Sequence, residues 1–449
     1  MTDGVIGSLR ASPLVDRPRM PGSPASDFAA QSRHFLFISA PFGPFARMLG
    51  DQLIRSGSAC TRVVVNGGDL IDWGVRDTAF YFGPGRGWRD WLEALIRERV
   101  ITDVVTYGDS SPYSVTALKL GEALGLRLHV FEQGYFRPDW VTLEEGGVNA
   151  NSRLPRDPQW YRDRADHASA GAAEKVGRTT PSAVGRITRY HTAMYFGLPI
   201  FPRYRAPYHH PAFLQAMGHV WRFATQHLAS AKQQLRQEAL IASGQTLYLV
   251  LLQRPGDSQL WRHSDFEDTE GFLGKVVSSF AAHADENAFL LVRPHPLDHG
   301  LDPHERVLAK LARREGVAGR VHYVDHGKLH ELLPAIRGAV CVNSTAGLAA
   351  VEFGCPTAVL GRAIYDMPGL THQGGLDSFW QSAQTPDASL YTAFRNVQMA
   401  TTQVNGAYAT PRGRQLAVQE AARRLLGADR DAVSVVSAFP NTEEHRRVG

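Results

Sequence analysis

Nine short apolar or β-branched runs are strung along this chain, and most of the intervals between them have the spacing of an amphipathic helix. The runs are Phe35–Ile38, Thr61–Val65, Asp103–Tyr107, Arg127–Phe131, Leu247–Leu252, Ala288–Val292, Val321–Val324, Ala339–Val342 and Thr357–Leu360. Runs so short and so continuously apolar read as strands covered on both faces. Helical patterns follow at 45–56, 88–99, 114–124, 270–284, 303–315, 328–336 and 345–353. Within 88–99, Trp88, Trp91, Leu92, Leu95 and Ile96 recur on one helix face. Strand and helix in alternation fold as parallel sheets with helices on both sides, which sets the class as α/β.

The series divides into two Rossmann-like halves facing a cleft, a size that 449 residues accommodate. Residues 1–32 carry Pro13, Pro18, Pro21 and Pro24 without an apolar core segment, and read as a disordered arm with no signal-peptide h-region. The first half spans 33–240, with an irregular insert at 149–211 and a linker helix at 212–240. The second spans 241–400. Residues 401–449 hold a C-terminal helix, able to pack on either half, and a polar tail. Asn66-Gly67-Gly68-Asp69 reads as a turn by composition. No repeat with a period of 20–50 residues is present.

Composition excludes several classes. No apolar stretch approaches the 18 residues of a bilayer-spanning helix, so a transmembrane protein is not expected. Net charge is 48 − 44 = +4, which suits anionic substrates or an anionic membrane face but lacks the dense basic stripe of a nucleic-acid binder. Cys60, Cys341 and Cys355 are odd in number and without CxxC spacing, so neither a disulfide framework nor a cysteine metal site is expected, and a reducing compartment is expected.

Three segments carry candidate chemistry. In Val342-Asn343-Ser344-Thr345 a buried strand gives way to hydroxyl residues opening a helix, whose free N–H groups suit an anion; the plain alternative is an N-cap and nothing more. In Arg293-Pro294-His295-Pro296-Leu297-Asp298 a histidine is held between prolines directly after a strand, where Arg293 and His295 can meet a phosphate. The alternative is a loop histidine with Asp298 as a surface partner. Glu132, directly after the run Arg127–Phe131, is placed to act as nucleophile or base, with Glu144 and Glu145 as rivals; alternatively it pairs with Arg137. Gln253 with Asp257, Ser258 and Gln259 follows the first strand of the second half and suits sugar or nucleotide hydroxyls, or is a polar loop. Tyr204, Arg205, His209 and His210 share a loop, and no carboxylate falls at ligand spacing from the histidines, so a substrate-facing or solvated loop is expected there and no metal. The Trp88/Trp91 helix, flanked by Arg86, Arg89, Arg97 and Arg99, can lie on an anionic membrane, though packing on the sheet is the plainer reading.

Taken together, Asn66–Asp69, Tyr107-Gly108-Asp109 with Pro112-Tyr113, the run Phe131–Asn149, Asp257–Gln259 with His263-Ser264, Pro294–Asp298, Asn343–Thr345 and Gly361–Asp366 resemble the capsule polysaccharide synthesis family of bacterial β-Kdo transferases. The resemblance covers about residues 34–400. It implies a GT-B fold and a retaining, metal-free transfer with no cofactor. The implied donor, CMP-β-Kdo, is bound mainly by the second half. The implied acceptor is a (lyso)phosphatidylglycerol-type phospholipid at the cytoplasmic face of the inner membrane, in company with other capsule assembly proteins and no nucleic acid.

Under the resemblance Glu132 matches the acidic nucleophile or base and His295 the histidine at the donor phosphate. Arg293, Asn343, Ser344, Thr345, Gln253, Asp257, Ser258 and Gln259 fall on the donor side. Asn66, Asp69, Asp109, Tyr135, Arg137, Glu144 and Glu145 fall on the acceptor side of the cleft. The chain has Ser111 and Ser114 where the family pattern carries Arg and His, and Arg293 where Lys is usual. Two other readings stand beside this one: a non-catalytic capsule assembly or export component that binds a lipid-linked glycan, and a related transferase using CMP-sialic acid or a nucleoside-diphosphate sugar.

Overall fold

The computed structural model describes residues 33–168, 173–178, 181–206, 210–254, 256, 262–325 and 327–427. The 1–32 arm, His209, Asp257, Ser258, Gln259 and the tail beyond 427 lie outside the described residues.

In chain order the strands are β1 (His34–Phe37), β2 (Ala59–Val64), β3 (Thr78–Phe80), β4 (Asp103–Tyr107), β5 (Arg127–Gln133), β6 (Trp140–Glu145), β7 (Leu247–Leu251), β8 (Phe289–Arg293), β9 (Val321–Tyr323), β10 (Gly338–Cys341), β11 (Thr357–Val359) and β12 (Gln403–Asn405). The first helices are α1 (Phe45–Arg55), α2 (Gly67–Trp73), α3 (Trp88–Glu98), α4 (Pro112–Ala123), α5 (Pro158–Arg164), α6 (Pro181–Phe196) and α7 (Ala212–Ala242).

One sheet runs β12-β6-β5-β4-β1-β2-β3 and the other β11-β10-β7-β8-β9. Every pairing in the second sheet is parallel. The first is parallel from β5 to β3, with Phe35 opposite both Cys60 and Asp103. Each sheet is buried on both faces. Leu247, Leu249 and Leu251 serve one core while Tyr248, Val250 and Leu252 serve the other, which explains why the sequence run does not alternate. A further cluster joins Tyr135, Leu154, Trp160 and Tyr161 to Leu348, Tyr365, Leu390 and Phe394, so the segment after β6 packs on the second half.

Several sequence expectations give way here. The insert at 149–211 is not irregular throughout: α5 and the 16-residue α6 lie within it. Their dense Arg, Tyr and Pro content obscures a periodicity that tertiary packing selects. The segment Asn66–Asp69 is not a turn but the start of α2. Asn66 Oδ1 accepts from the Gly68 and Asp69 backbone N–H groups at 2.8 and 3.0 Å, which is an N-cap. Gly67 is required because a Cβ there would sit 2.2 Å from the Ala193 carbonyl oxygen of α6. β6 forms an antiparallel hairpin with β5, Glu132 opposite Thr142. Helices Leu376–Ser382 and Ala388–Thr401 occupy a stretch in which the sequence shows no clear element. The C-terminal helix Pro411–Leu425 chooses the first half, where Val418, Ala421 and Leu425 share a core with Phe45 and Leu49 of α1. Just before it, β12 pairs antiparallel with β6.

Candidate functional site

An open parallel sheet binds ligands at the carboxyl ends of its strands, where strand order reverses. In the first sheet that point lies between β1 and β4, and in the second between β7 and β10. Both carry polar groups held by short bonds. Ser39 Oγ, after β1, accepts from Tyr107 N at 2.8 Å and meets Ser114 Oγ at 3.1 Å. Ser111 Oγ caps α4 through Ser114 N at 3.0 Å, so the two serines form a cap network. In the second sheet Gln253 Nε2 donates to Asn343 Oδ1 at 2.7 Å, spanning the reversal point itself.

The two points face one another. Asp109, 5% exposed, accepts from Val148 N at 3.1 Å and Asn151 Nδ2 at 2.9 Å. Its charge acts on the buried ring of His263 in the second half. Among the described residues, Asp109 Oδ1, both ring nitrogens of His263 and Gln253 Oε1 are buried without a hydrogen-bond partner. Buried polar atoms are normally satisfied, so these four atoms mark where a polar ligand could bond to both halves. Burial lowers the His263 pKa, against the pull of Asp109 and with Arg362, Arg262 and Arg156 adding to the lowering.

Glu132 is half-buried at the end of β5. Its Oε1 accepts from Gln133 N at 2.8 Å, and its backbone carbonyl accepts from Tyr408 Oη at 3.1 Å. Gly108 has a φ of 68°, and a Cβ there would lie 3.3 Å from Glu132 Oε2, so glycine lets the β4 loop close over the carboxylate. Gln133 Nε2 donates to Tyr107 Oη at 2.9 Å. Burial first, and then the neighbouring Glu132 charge, push the Tyr107 phenol far above its usual range, which keeps it protonated. Arg137 donates from Nε to the Gly134 carbonyl at 3.1 Å.

Opposite stands His295, just past β8. Its Nδ1 accepts from Leu297 N at 3.0 Å, which leaves the ring proton on Nε2. Burial, and then the charges of Arg137 and Arg254, hold its pKa down to about 4. His295 is therefore a neutral hydrogen-bond donor inside a cationic rim that takes one arginine from each half. Arg293 donates from Nη2 to the Gly327 carbonyl, tying the end of β8 to the β9 loop. Ser344 Oγ accepts from Ala346 N at 3.1 Å and caps the helix Thr345–Glu352, while the Ser344 carbonyl accepts from Tyr365 Oη at 2.6 Å. The Ser344 hydroxyl thus acts as an N-cap, and half-buried Thr345 opens the helix.

Some expected cleft residues lie elsewhere. Asn66 and Asp69 are buried behind α6, with Asp69 ion-paired to Arg62 at 2.9 Å and bonded by Tyr190 Oη at 3.1 Å. Glu144 is buried and accepts from Tyr135 Oη at 2.9 Å and from Ser152 Oγ. Tyr135 Oη in turn accepts from Asn149 N at 2.8 Å. Both Tyr135 and Glu144 thus brace the loop after β6. Glu145 is exposed, 3.6 Å from Arg153. Asp298 is buried rather than on the surface, accepting from Gly300 N at 2.7 Å. The apolar face of α3 packs on the sheet through Trp88 and Leu92.

Sequence reasoning assigned no role to His263 or Arg254. Both follow β7 in a loop whose polarity resembles any surface loop until its strand is placed at the reversal point. It also missed a possible ligand set for His210. Asp302 and His299, from the loop after β8, bring their ligand atoms within 4.8 Å of it and of one another, a His/His/Asp group able to hold a divalent ion. The carboxylate comes from 92 positions away, beyond any local spacing.

Two α/β sheets meet at their reversal points, with a carboxylate on one side and, on the other, a histidine in an arginine rim whose charge suits an anion. The chain belongs to the family described as capsule polysaccharide biosynthesis protein, which matches residues 102–408. It is 33% identical over 380 residues to the capsule polysaccharide export protein KpsS of Escherichia coli, covering 84% of this chain and 97% of that protein. It is 32% identical over 389 residues to the capsule polysaccharide modification protein LipB of Neisseria meningitidis serogroup A, covering 84% and 91%. Among solved structures, the KpsC beta Kdo 2,7 transferase of Thermosulfurimonas dismutans aligns with a TM-score of 0.42 at 11% identity, over 88% of this chain and 99% of that one. Among the described residues no helix is long and apolar enough to cross a membrane.

Proposed function

We propose that this chain is a retaining glycosyltransferase that moves β-Kdo from CMP-β-Kdo to a phospholipid acceptor in capsule biosynthesis. The observation that carries the reading is the pair of facing reversal points with unpartnered buried polar atoms on both sides, Asp109 on one and His263 and Gln253 on the other. Membership of a capsule polysaccharide biosynthesis family supports the setting.

In this mechanism the Glu132 carboxylate attacks the anomeric carbon as the bond to the CMP phosphate oxygen breaks, giving a glycosyl ester and free CMP. The acceptor hydroxyl then attacks the same carbon, loses its proton to solvent or to the departing carboxylate, and restores Glu132. Two inversions give retention. The Glu132 carboxylate is preoriented by Gln133 N, and Gly108 leaves it room. His295 Nε2–H, the Arg137 and Arg254 charges and the N-terminus of the Thr345–Glu352 helix stabilise phosphate charge as it develops, a preorganised electrostatic contribution that usually dominates. No step in this scheme uses a metal.

Mass spectrometry of a reaction containing the full chain, freshly generated CMP-Kdo and a short-chain phosphatidylglycerol tests the reading. The expected result is a Kdo-lipid product with equimolar CMP release. CMP binding without product on any phospholipid would overturn the acceptor; neither binding nor product would favour a non-catalytic glycan-binding role.

A further inference from the structure

The first turns of α7 are built inside out. Their inward positions are polar or small: Gln215 is buried and donates to the His210 carbonyl at 2.7 Å, and Arg222 donates to the Asp298 carbonyl at 3.0 Å. Gly218 lies so close to the loop after β8 that a Cβ would sit 2.3 Å from the His299 carbonyl oxygen. The outward positions are Phe213, Met217, Val220 and Trp221, one helical face at i, i+4, i+7 and i+8, with Val220 and Trp221 70% and 73% exposed. A soluble helix does the opposite.

The apolar surface continues past the helix. Phe213 N approaches Tyr195 Oη at 3.3 Å, joining α7 to the end of α6, where Phe196 is 83% exposed and Ile200 60%. Exposed aliphatic and aromatic side chains on this scale mark an interaction surface.

The charge pattern says what covers it. Between Lys175 and Gln237 the chain has nine Lys and Arg residues and no Asp or Glu at all. Arg203 and Arg205, in the loop joining the two helices, are exposed and bond only to backbone carbonyls among the described residues. A protein partner of ordinary composition has no need of a stretch so free of acids. A second copy across a two-fold axis would set these arginines against their own counterparts. Apolar side chains rimmed by unpaired arginines match an anionic bilayer face, where the apolar groups enter the acyl boundary and guanidinium groups meet phosphates.

We propose that the outward face of α7, together with the end of α6 and the Arg203–Arg205 loop, docks this protein onto the surface of an anionic lipid bilayer. The proposal deepens the phospholipid-acceptor reading but stands on the surface alone. The docked helix bonds the same loop that carries His295, so the cleft is held beside the lipid.

Co-sedimentation of the full chain with vesicles of phosphatidylglycerol and phosphatidylcholine, against phosphatidylcholine alone, tests it without donor sugar. We expect binding to the anionic vesicles that weakens with salt. Phe213→Ser with Trp221→Ser should weaken it about tenfold or more, as should Arg203→Glu with Arg205→Glu. Thermal midpoints should not change, and Trp221→Phe should keep the binding. Failure to bind anionic vesicles, or binding untouched by both double variants, would overturn the proposal. So would a dimer of the parent chain that Phe213→Ser with Trp221→Ser dissociates. Because no transfer is measured, loss of the glycosyltransferase reading would leave this result standing, and the reverse.

Discussion

Glu132 and Glu144 are carboxylates on the two strands of the β5–β6 hairpin, and glutamine at each position separates the group proposed to react from the structural one. Burial holds the Glu144 carboxyl up at about 7, against 4.5 for a free glutamate, with the bonds from Ser152 and Tyr135 pulling the other way. That rise corresponds to about 3 kcal/mol, at roughly 1.36 kcal/mol for each tenfold change in proton affinity. Between those two values the folded protein keeps a proton that the unfolded chain has released, so stability falls as pH rises. The cost is absent below 4.5 and complete above 7. Glu144→Gln removes the titration. Relative to the parent, its unfolding free energy should therefore gain about 3 kcal/mol between pH 4.5 and pH 8. Urea unfolding followed by tryptophan fluorescence at both pH values reads this directly. The variant should retain transfer, since its amide can still bond Tyr135 and Ser152. Glu132→Gln should do the reverse for activity, with the fold kept and transfer lost while CMP still binds. Parallel curves for Glu144→Gln and the parent would show that the carboxyl is not desolvated as described. Loss of transfer in a well-folded Glu144→Gln would reverse the assignment of roles.

The ring of His295 should show no titration between pH 8 and pH 5.5 in imidazole-labelled NMR spectra of the free protein, because burial and two arginines hold its pKa near 4; His295→Ala should weaken CMP binding about tenfold through the lost charged hydrogen bond. Asn66→Ala should cost about 1 kcal/mol of stability through the lost cap and leave kcat unchanged, which a urea midpoint and a turnover assay together would show. Transfer should continue at an unchanged rate in excess EDTA, since the His210, His299 and Asp302 group lies outside the proposed chemistry; a metal-dependent rate restored by zinc would overturn the metal-free scheme.

Strands buried on both faces were legible because each is a short apolar run, and β4 and β10 fall within a residue of where the sequence places them. Among the helices that sequence reading missed, α6 and Ala388–Thr401 owe their burial to partners distant in the chain. β6 was missed because Trp140–Glu145 mixes apolar and acidic residues, and the reason becomes visible only when Glu144 is seen buried against Tyr135. The candidate site was half legible. Glu132 and His295 follow directly on apolar runs, and position at a strand end is a local signal. The bond between Gln253 and Asn343, and the approach of Asp109 to His263, depend on which strands are neighbours and how the halves face, which spacing along the chain does not encode. Asn66 and Asp69 show the opposite failure, since a cap and a buried ion pair use the same residue types as a binding loop.

The pairing of β12 with β6 fixes an order of events during synthesis. Thr142 and Gln403 bond across 261 positions, so β6 leaves the ribosome long before the strand that covers it. At roughly 5–20 residues per second, that gap lasts on the order of ten to fifty seconds. Throughout it the nascent first sheet presents the backbone of Trp140–Glu145 as an open edge, the kind of template that recruits other chains. The whole second half must emerge, and can fold, inside this interval. The protein closes like a loop of string drawn back to its own beginning, and a chain cut between Val359 and Gln403 would keep every strand of the second sheet yet leave the first sheet unsealed.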